Sequence, residues 1–275
     1  MLVLMIGIAF LGYVLPFGQM SLWGIFLCPT CVIILINIIS FYDFITIYLE
    51  SNKIAKRIKA TYRIGPHNHH ILSIFCGSLL GDAHAELRPA GNGTRIGFYQ
   101  EALYSEYLLW LHNLISNLGY CNPVVPKIQT RLSTNGVLRY VIRFHTYTYT
   151  SLNIFYHDWY VNGVKHVPQN IAEYLTPLAL AIWIMDDGAR IRYGLKLCTN
   201  SFTFADCIRL TVVLHNLYNI KSSVQSAGVQ NQYVIHIWSE SIPVVRGLVR
   251  PYMVSSMLYK LGEWHYLIHY YFNNV

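Results

Sequence analysis

The sequence predicts an α+β protein made of two similar halves, and three observations support this fold class. Two apolar helices that end in acidic residues lie 105 residues apart along the chain. After each of them, short strands and further helices follow in the same order. The chain beyond residue 49 is basic, whereas the first 49 residues contain a single charged side chain. These patterns indicate a duplicated basic body that follows an apolar N-terminal segment.

The first acid-ended helix is predicted over residues 72–83, which read LSIFCGSLLGDA. Its apolar residues recur at helical spacing, and Asp82 stands at its end. The second helix is predicted over residues 175–188, which read LTPLALAIWIMDDG. Thr176 is suited to cap its N-terminus, and Gly188 is suited to a left-handed stop at its C-terminus.

Small residues in both helices allow the two backbones to approach closely. Gly77 and Gly81 lie one turn apart in the first helix, and Ala179 and Ala181 lie in the second. Two helices that pack side by side in the same direction bring their terminal carboxylates together. Such carboxylates repel each other and oppose the helix dipoles, so they need divalent cations between them. Oxygen ligands with open positions suit Mg²⁺ or Mn²⁺, which activate water for phosphodiester hydrolysis.

The segments after the two helices predict strands and helices in matching order. In the first half we expect a strand over 94–99, a helix over 103–118 and a hairpin over 127–145 with its turn at Asn135-Gly136. In the second half we expect strand residues over 190–199, a helix over 204–218, a hairpin over 222–238 with its turn at Ala227-Gly228, and a helix over 241–249. The order αββαββα occurs twice, which predicts two sheets related by a pseudo-two-fold axis.

The net charge of the body indicates which class of molecule it binds. Residues 50–275 contain 20 basic and 12 acidic side chains, a net charge of +8. A surplus of this size favours polyanions, because each phosphate contact releases condensed counterions. Charge alone does not separate a nucleic-acid-binding protein from an inert basic protein of mitochondrial or ribosomal type, so the motifs must decide.

The N-terminal segment differs from the body in character. Residues 25–49 are apolar enough to cross a bilayer, and basic residues follow from Lys53. Residues 9–24, AFLGYVLPFGQMSLWG, closely resemble a transmembrane stretch of mitochondrial cytochrome b, and the resemblance stops there. It implies an intron reading frame translated in continuity with an upstream exon, and therefore a mitochondrial protein. Membrane association of this N-terminal leader is a further expectation.

These features divide the chain into four parts. We expect an exon-like leader at 1–24, a hydrophobic segment and basic linker at 25–66, and two subdomains at 67–168 and 169–275.

The two acid-ended helices resemble the paired motifs of the single-chain LAGLIDADG homing endonucleases and maturases, and the resemblance extends from about residue 70 to residue 262. Further phrases typical of that group occur in the expected order, namely YLTP at 174–177, WIMDDG at 183–188, NSFTF at 200–204 and MLYKL at 257–261. The first motif departs from the family pattern at Leu80, where an extra acid often occurs, and at Ala83, where glycine usually follows. Neither departure removes the carboxylate.

The resemblance implies roles for individual residues. It implies metal binding by the carboxylates and by the positions just before them, which are Asp82, Asp187, Gly81 and Asp186. It implies catalytic roles for both carboxylates and for two lysines that would organise water or stabilise transition-state charge, Lys165 and Lys260. The implied protein is a monomer that uses Mg²⁺ or Mn²⁺ and binds double-stranded DNA at the intron insertion site.

Alternating strand residues leave one sheet face for the core and the other for a nucleic acid. In the first half, the side chains expected to face the major groove are Lys127, Gln129, Arg131, Arg139 and Arg143. In the second half they are Arg190, Arg192, Lys196, Gln225, Gln230 and Gln232.

Three hypotheses follow from these observations. The first is a site-specific DNA endonuclease that promotes the spread of its own group I intron. The second is a maturase, which binds its own intron RNA and assists splicing. The third, a membrane-embedded respiratory fragment, is supported by the first 49 residues alone. Retention of both Asp82 and Asp187 favours the endonuclease, and the basic duplicated body weighs against the respiratory fragment.

Overall fold

The structure of the protein is a computed structural model, which describes residues 58–59, 62–63, 65–89, 92–132 and 136–263. The predicted leader, the apolar segment and most of the basic linker lie outside the described residues. The predicted turn residue Asn135 lies outside them as well. Among the described residues, no helix has the length and apolar character needed to span a membrane.

The chain order of the elements repeats. The first half contains α1 (His69–Leu80), β1 (His84–Arg88), β2 (Gly93–Glu101), α2 (Ser105–Asn117), β3 (Gln129–Leu132), β4 (Leu138–His145) and α3 (Asn153–Trp159). A connecting region contains β5 (Tyr160–Val161), β6 (Val164–Lys165) and α4 (Ile171–Tyr174). The second half contains α5 (Pro177–Asp187), β7 (Gly188–Ile191), β8 (Gly194–Cys198), α6 (Phe204–Tyr218), β9 (Ser222–Ser226), β10 (Tyr233–Ile237) and α7 (Ile242–Val249). The predicted αββαββα order is confirmed in both halves.

Each half forms one antiparallel four-stranded sheet. The strand orders, β1-β2-β4-β3 and β7-β8-β10-β9, are the same in both halves. On each sheet one face supplies the core, through Ile96 and Phe98 in the first and Leu195 and Leu197 in the second. Helix α2 packs on β2 and β4, and α6 packs on β9 and β10.

Helices α1 and α5 form the centre of the body, and most of their residues are buried. Three contacts follow the same order along both helices, which shows that the helices run parallel. The Ser73 hydroxyl bonds the Thr176 hydroxyl, Gly77 lies against Ala179, and Gly81 lies against Asp186. A Cβ at Gly77 would stand only 2.8 Å from the Ala179 Cα, so this backbone approach requires glycine.

The ends of α5 illustrate one correct prediction and one wrong one. Thr176 is the N-cap, since its side chain accepts a hydrogen bond from the Ala179 amide. Gly188 was expected to adopt a left-handed stop, but it has φ −74° and ψ 135° and begins β7. A Cβ there would stand 3.0 Å from the Ile184 Cα. Glycine is needed at this position for space and not for a positive φ.

Strand β1 lies ahead of the strand predicted over 94–99. The sequence of β1 does not show the apolar alternation of a strand, because only Ala85 is buried and the strand also carries Glu86 and Arg88. Pairing with β2 stabilises β1, and Glu86 forms an ion pair of 2.7 Å with Arg95 on β2.

Candidate active site and nucleic-acid interface

Three carboxyl groups meet where α1 and α5 end. Asp82 follows the C-terminus of α1 and is exposed, whereas Asp186 and Asp187 are the last residues of α5 and are half-buried. The Gln100 side chain on β2 donates from Nε2 to Asp82 Oδ2 at 2.5 Å and to Asp186 Oδ1 at 3.4 Å. The predicted meeting of the acids at one end of two parallel helices is therefore present.

The two residues that precede the terminal acids are not equivalent. Gly81 has no side chain, and the Asp186 side chain occupies the space beside it. A Cβ at Gly81 would stand 2.6 Å from Asp186 Oδ2. The backbone carbonyl oxygen is the only atom of Gly81 that could bind a cation. It accepts a hydrogen bond of 3.3 Å from Lys165 Nζ.

Two residues of this site, Gln100 and Tyr107, belong to no sequence motif. Gln100 is 9% exposed and Tyr107 is fully buried, although both carry polar groups. The Tyr107 hydroxyl lies near Asp186, and burial together with that carboxyl raises its pKa well above the ordinary value. Gln100 could have been found from the sequence, because it is a polar residue at a core-facing position of a strand. Tyr107 could not, because it lies among the apolar residues of a helix and resembles an ordinary core tyrosine.

Burial and mutual repulsion dominate the electrostatics of the acids. Burial, followed by the charge of Asp82, raises the pKa of Asp187 to about 7. The same two causes raise the pKa of Asp186 well above its ordinary value. Carboxyl groups held in this way favour a bound cation, because a cation would relieve both the desolvation and the repulsion.

Lys165 reaches the end of α1 from the β5-β6 hairpin. Asn162 and Gly163 form its turn, with φ values of 52° and 77°, which match the two-residue turns that suit hairpins. Lys165 Nζ donates to the Ala83 carbonyl at 3.0 Å and to the Gly81 carbonyl. Burial lowers the pKa of Lys165 to about 8, although the nearby carboxylates act in the opposite direction.

Lys260 reaches the end of α5 in the same manner. It lies on a 3₁₀ segment, Ser255–Leu261, and is only 8% exposed. Its Nζ donates to the carbonyls of Ile184, Met185 and Asp186, the last at 3.1 Å. Burial lowers the pKa of Lys260, and Asp186 and Asp187 oppose that shift. Each helix end therefore combines a carboxylate with a lysine that binds its free carbonyls.

The donor set fits a divalent cation that is shared with a substrate. Within the described residues, no three His, Cys, Asp or Glu side chains form a metal site by themselves. Mg²⁺ is usually bound by one or two carboxylates together with substrate phosphates and water, and Asp82 and Asp187 offer carboxylates of this kind.

The first sheet presents its predicted side chains on one face. Arg131 is directly opposite Arg139, Gln129 is opposite Val141, and Arg143 is opposite Tyr99. The four predicted side chains lie on the face away from Ile96 and Phe98 and are exposed, namely Gln129, Arg131, Arg139 and Arg143. Lys127, just before β3, is exposed as well. Arg139 forms an ion pair with Glu101 at 2.8 Å, and Arg131 lies over the Tyr99 ring.

The second sheet agrees with the prediction only in part. Lys196 and Gln225 lie on the face away from the core, since their cross-strand partners are Ala189, His236 and Val234. Arg192 lies in the turn between β7 and β8, and Gln230 and Gln232 lie in the turn between β9 and β10. These three side chains are at the ends of the hairpins and not on strands.

Arg190 requires a correction. It is opposite Leu195, whose side chain faces the core, so strand alternation places Arg190 on the helix side of the sheet. Its guanidinium lies against Gly262, where any Cβ would overlap it. The prediction failed because the pairing of β7 with β8 decides which face Arg190 occupies, and the sequence of β7 alone does not show that register.

Comparison with known proteins identifies the family. Residues 72–245 match the model of the LAGLIDADG DNA endonuclease family. The chain is 41% identical over 301 aligned residues to "Cytochrome b mRNA maturase bI2" of Saccharomyces cerevisiae, covering 95% of this chain and 71% of that protein. It is 50% identical over 199 residues to the protein of the same name from Debaryomyces hansenii, covering 72% of this chain and 76% of that protein.

A solved structure shares the fold. The homing endonuclease I-WcaI, bound to its DNA recognition sequence, matches with a TM-score of 0.62 at 22% identity, covering 70% of this chain and 86% of that one. The expected fold is therefore confirmed, and the relatives confirm the predicted resemblance to proteins of mitochondrial cytochrome b introns. The chain belongs to the LAGLIDADG DNA endonuclease family.

Proposed function

We propose that this chain is a site-specific DNA endonuclease that cuts both strands of a duplex and promotes the homing of its group I intron. The observation that carries the proposal is the convergence of Asp82 and Asp187 at two parallel helix ends, each accompanied by a lysine that donates to backbone carbonyls there. Such a pair provides one hydrolytic centre for each strand of a duplex, across the minor groove.

The proposed roles of the residues follow from their positions. Asp82 and Asp187 would hold Mg²⁺ or Mn²⁺, which activates water and stabilises the leaving oxygen when bound. Lys165 and Lys260 would orient water and stabilise negative charge on the phosphate. Gln100 holds the Asp82 carboxylate through its amide. Asp186 is half-buried against Gln100 and Tyr107, and its side chain fills the space beside Gly81. Metal binding by Asp186 and by the Gly81 carbonyl, which the family resemblance implies, belongs to the same proposal.

The duplex would lie across the outward faces of both sheets. Lys127, Gln129, Arg131, Arg139 and Arg143 would contact it from the first sheet, and Arg192, Lys196, Gln225, Gln230 and Gln232 would contact it from the second. Long polar side chains on a twisted sheet suit base edges in the major groove and flanking phosphates.

The test is to incubate the full chain with Mg²⁺ and an intronless cytochrome b gene. Cleavage of both strands near the exon junction supports the endonuclease, and a chelator should stop it. Intact DNA, together with stimulated splicing of the intron RNA, would replace the endonuclease with the maturase.

A maturase is the second candidate, because two relatives at 41% and 50% identity carry the name cytochrome b mRNA maturase. In this function the chain would bind its own intron RNA and assist splicing, either alone or in addition to DNA cleavage. Both candidates share the mitochondrial setting, the exon-like leader at 1–24, the linker at 25–66 and the subdomains at 67–168 and 169–275. Action as a monomer and association of the leader with a membrane belong to the same proposal.

A further inference from the structure

A second cluster of polar and aromatic side chains lies at the opposite end of α1 from the carboxylates. His67 precedes α1, and its ring nitrogens lie 3.0 Å from the Tyr120 hydroxyl and 2.8 Å from the Ser151 hydroxyl. Helix α1 has 12 residues and is about 18 Å long, and it separates this cluster from Asp82. The cluster is therefore outside the candidate active site.

An arginine and a tyrosine stack at this end of the molecule. The Arg63 guanidinium carbon lies 4.5 Å from the centre of the Tyr147 ring, and Arg63 Nη1 donates to the Thr148 carbonyl at 3.4 Å. Both side chains are half-buried, so each retains exposed surface. The neighbouring Tyr62 is 75% exposed. We call Tyr62, Arg63, Tyr147 and Tyr149 the basic–aromatic platform.

The Tyr149 ring of the platform is held in place by the first sheet and by neighbouring rings. The Tyr149 backbone exchanges two hydrogen bonds of 2.9 Å with Thr94, which is in β2. The Tyr149 ring lies 5.2 Å from the Tyr120 ring and edge-on to the His67 ring at 5.4 Å. Aromatic side chains fixed in this way lose little conformational entropy when a ligand stacks on them.

The sequence that leads into the platform is basic, which favours a polyanion. The segment from 53 to 63 carries five basic side chains, Lys53, Lys56, Arg57, Lys59 and Arg63. No acidic residue occurs between residues 51 and 81. Of the five, the structure describes Lys59 and Arg63. Arg63 belongs to the platform, and the Lys59 carbonyl accepts a hydrogen bond of 3.0 Å from the Tyr62 amide. Basic residues interleaved with exposed aromatic rings are typical of surfaces that bind single-stranded nucleic acids.

We propose that the basic–aromatic platform binds single-stranded RNA. Stacking on Tyr147, Tyr62 or the Arg63 plane requires a base whose face is exposed, which a duplex does not offer. The tyrosine hydroxyls supply partners for the 2′-hydroxyl that distinguishes RNA from DNA. The proposal deepens the maturase candidate and rests on it for the choice of RNA, but it requires none of the carboxylates that would cut DNA.

The test measures binding of a fluorescein-labelled oligouridylate RNA to the full chain at several salt concentrations. The double variant Arg63→Ala, Tyr147→Ala should bind this RNA roughly tenfold more weakly, because one stacked base and one ion contact are lost. The salt dependence should decrease by about 0.7 in slope for the lost phosphate contact. Tyr147→Phe, which keeps the ring and removes one hydroxyl, should keep the salt slope and most of the affinity and lose part of the preference for RNA over DNA. Arg63→Lys should keep the salt slope and lose part of the affinity.

Matched controls separate the platform from general electrostatics and from DNA cleavage. Lys221→Ala removes one exposed positive charge from the second half and should leave RNA binding unchanged. Asp82→Asn should also leave it unchanged, so RNA binding and DNA cleavage can fail independently.

Several outcomes would overturn the proposal. One is equal RNA affinity of the double variant and the unchanged protein, with matching thermal unfolding curves. Another is an equal loss with Lys221→Ala, which would indicate net charge alone. A third is equal or tighter binding of the same-length oligothymidylate DNA, and a fourth is platform-dependent binding to cardiolipin vesicles in place of RNA.

Discussion

The two helix ends at the candidate active site differ by one side chain. The first ends in Gly81-Asp82 and the second in Asp186-Asp187. Only one carboxyl side chain fits between them, because that of Asp186 fills the space that glycine leaves. The comparison teaches that the two-fold symmetry of the backbone does not extend to this carboxyl group, which the first half contacts through Gln100.

The largest expected effect is on the rate of DNA cleavage and concerns the terminal carboxylate that both helix ends share. Asp82→Asn and Asp187→Asn should each lower the rate of double-strand cleavage by about a thousandfold, because each removes a charged ligand worth several kcal/mol to the transition state. Gel assays of a target plasmid with Mg²⁺ would measure this rate. Asp158→Asn, an exposed acid outside the site, serves as the control. Unchanged cleavage in either site variant would contradict the two-carboxylate assignment.

The next effect tests whether the two lysines are equivalent. Lys165→Met and Lys260→Met should each lower cleavage by about a hundredfold, since each removes one positive group near the reacting phosphate. Lys260 is more deeply buried and bonds three carbonyls, so its variant should also unfold at a lower temperature. Cleavage kinetics and circular dichroism melts of both variants would measure the difference. A loss of stability without a loss of rate would assign the lysines to structure alone.

A third prediction concerns the glycine that distinguishes the ends. Gly81→Ala should lower the free energy of unfolding by about 2 kcal/mol, because the added methyl group meets the Asp186 side chain. Adding Asp186→Gly should recover part of that loss, since it removes the Cβ, the carboxyl carbon and the Oδ2 that the added methyl group meets. Gly77→Ala is the matched control, because its methyl group would meet the Ala179 backbone and no side-chain change relieves it. Urea unfolding of the three variants would show whether the recovery is specific to position 81.

The smallest effect is a dependence of stability on pH. The pKa of Asp187 is raised from 3.8 to about 7, so the folded state binds more protons and the free energy of unfolding should fall as pH rises from about 4 to 7. The pKa of Lys165 is lowered from 10.5 to about 8, so the unfolded state binds more protons and stability should rise between about pH 8 and 10.5.

Thermal melts with a chelator present would measure both limbs. Asp187→Asn should flatten the lower limb and leave the upper one, and Lys165→Met should do the reverse. A lower limb that persists in Asp187→Asn would assign it to other groups. Mg²⁺ should also flatten the lower limb of the unchanged protein, because a cation favours the ionised carboxylate.

Local patterns in the sequence determined the elements and their order. The small residues and terminal acids of α1 and α5, the Thr176 cap and the Asn162-Gly163 turn act over a few residues, so their spacing is visible in one chain. The alternation of β3 and β4 also placed Arg131, Arg139 and Arg143 on one face correctly. The pairing of the two motifs added the expectation that their acids meet.

Only the tertiary structure decided which polar groups join those acids. Gln100 and Tyr107 come from a strand and a helix that carry no motif, and they reach Asp186 because both elements close over the helix ends. Arg190 left the expected face because its strand partner, Leu195, fixes the register. Strand register and the burial of single polar groups depend on partners far away in the chain, and a pattern read along one segment does not contain them.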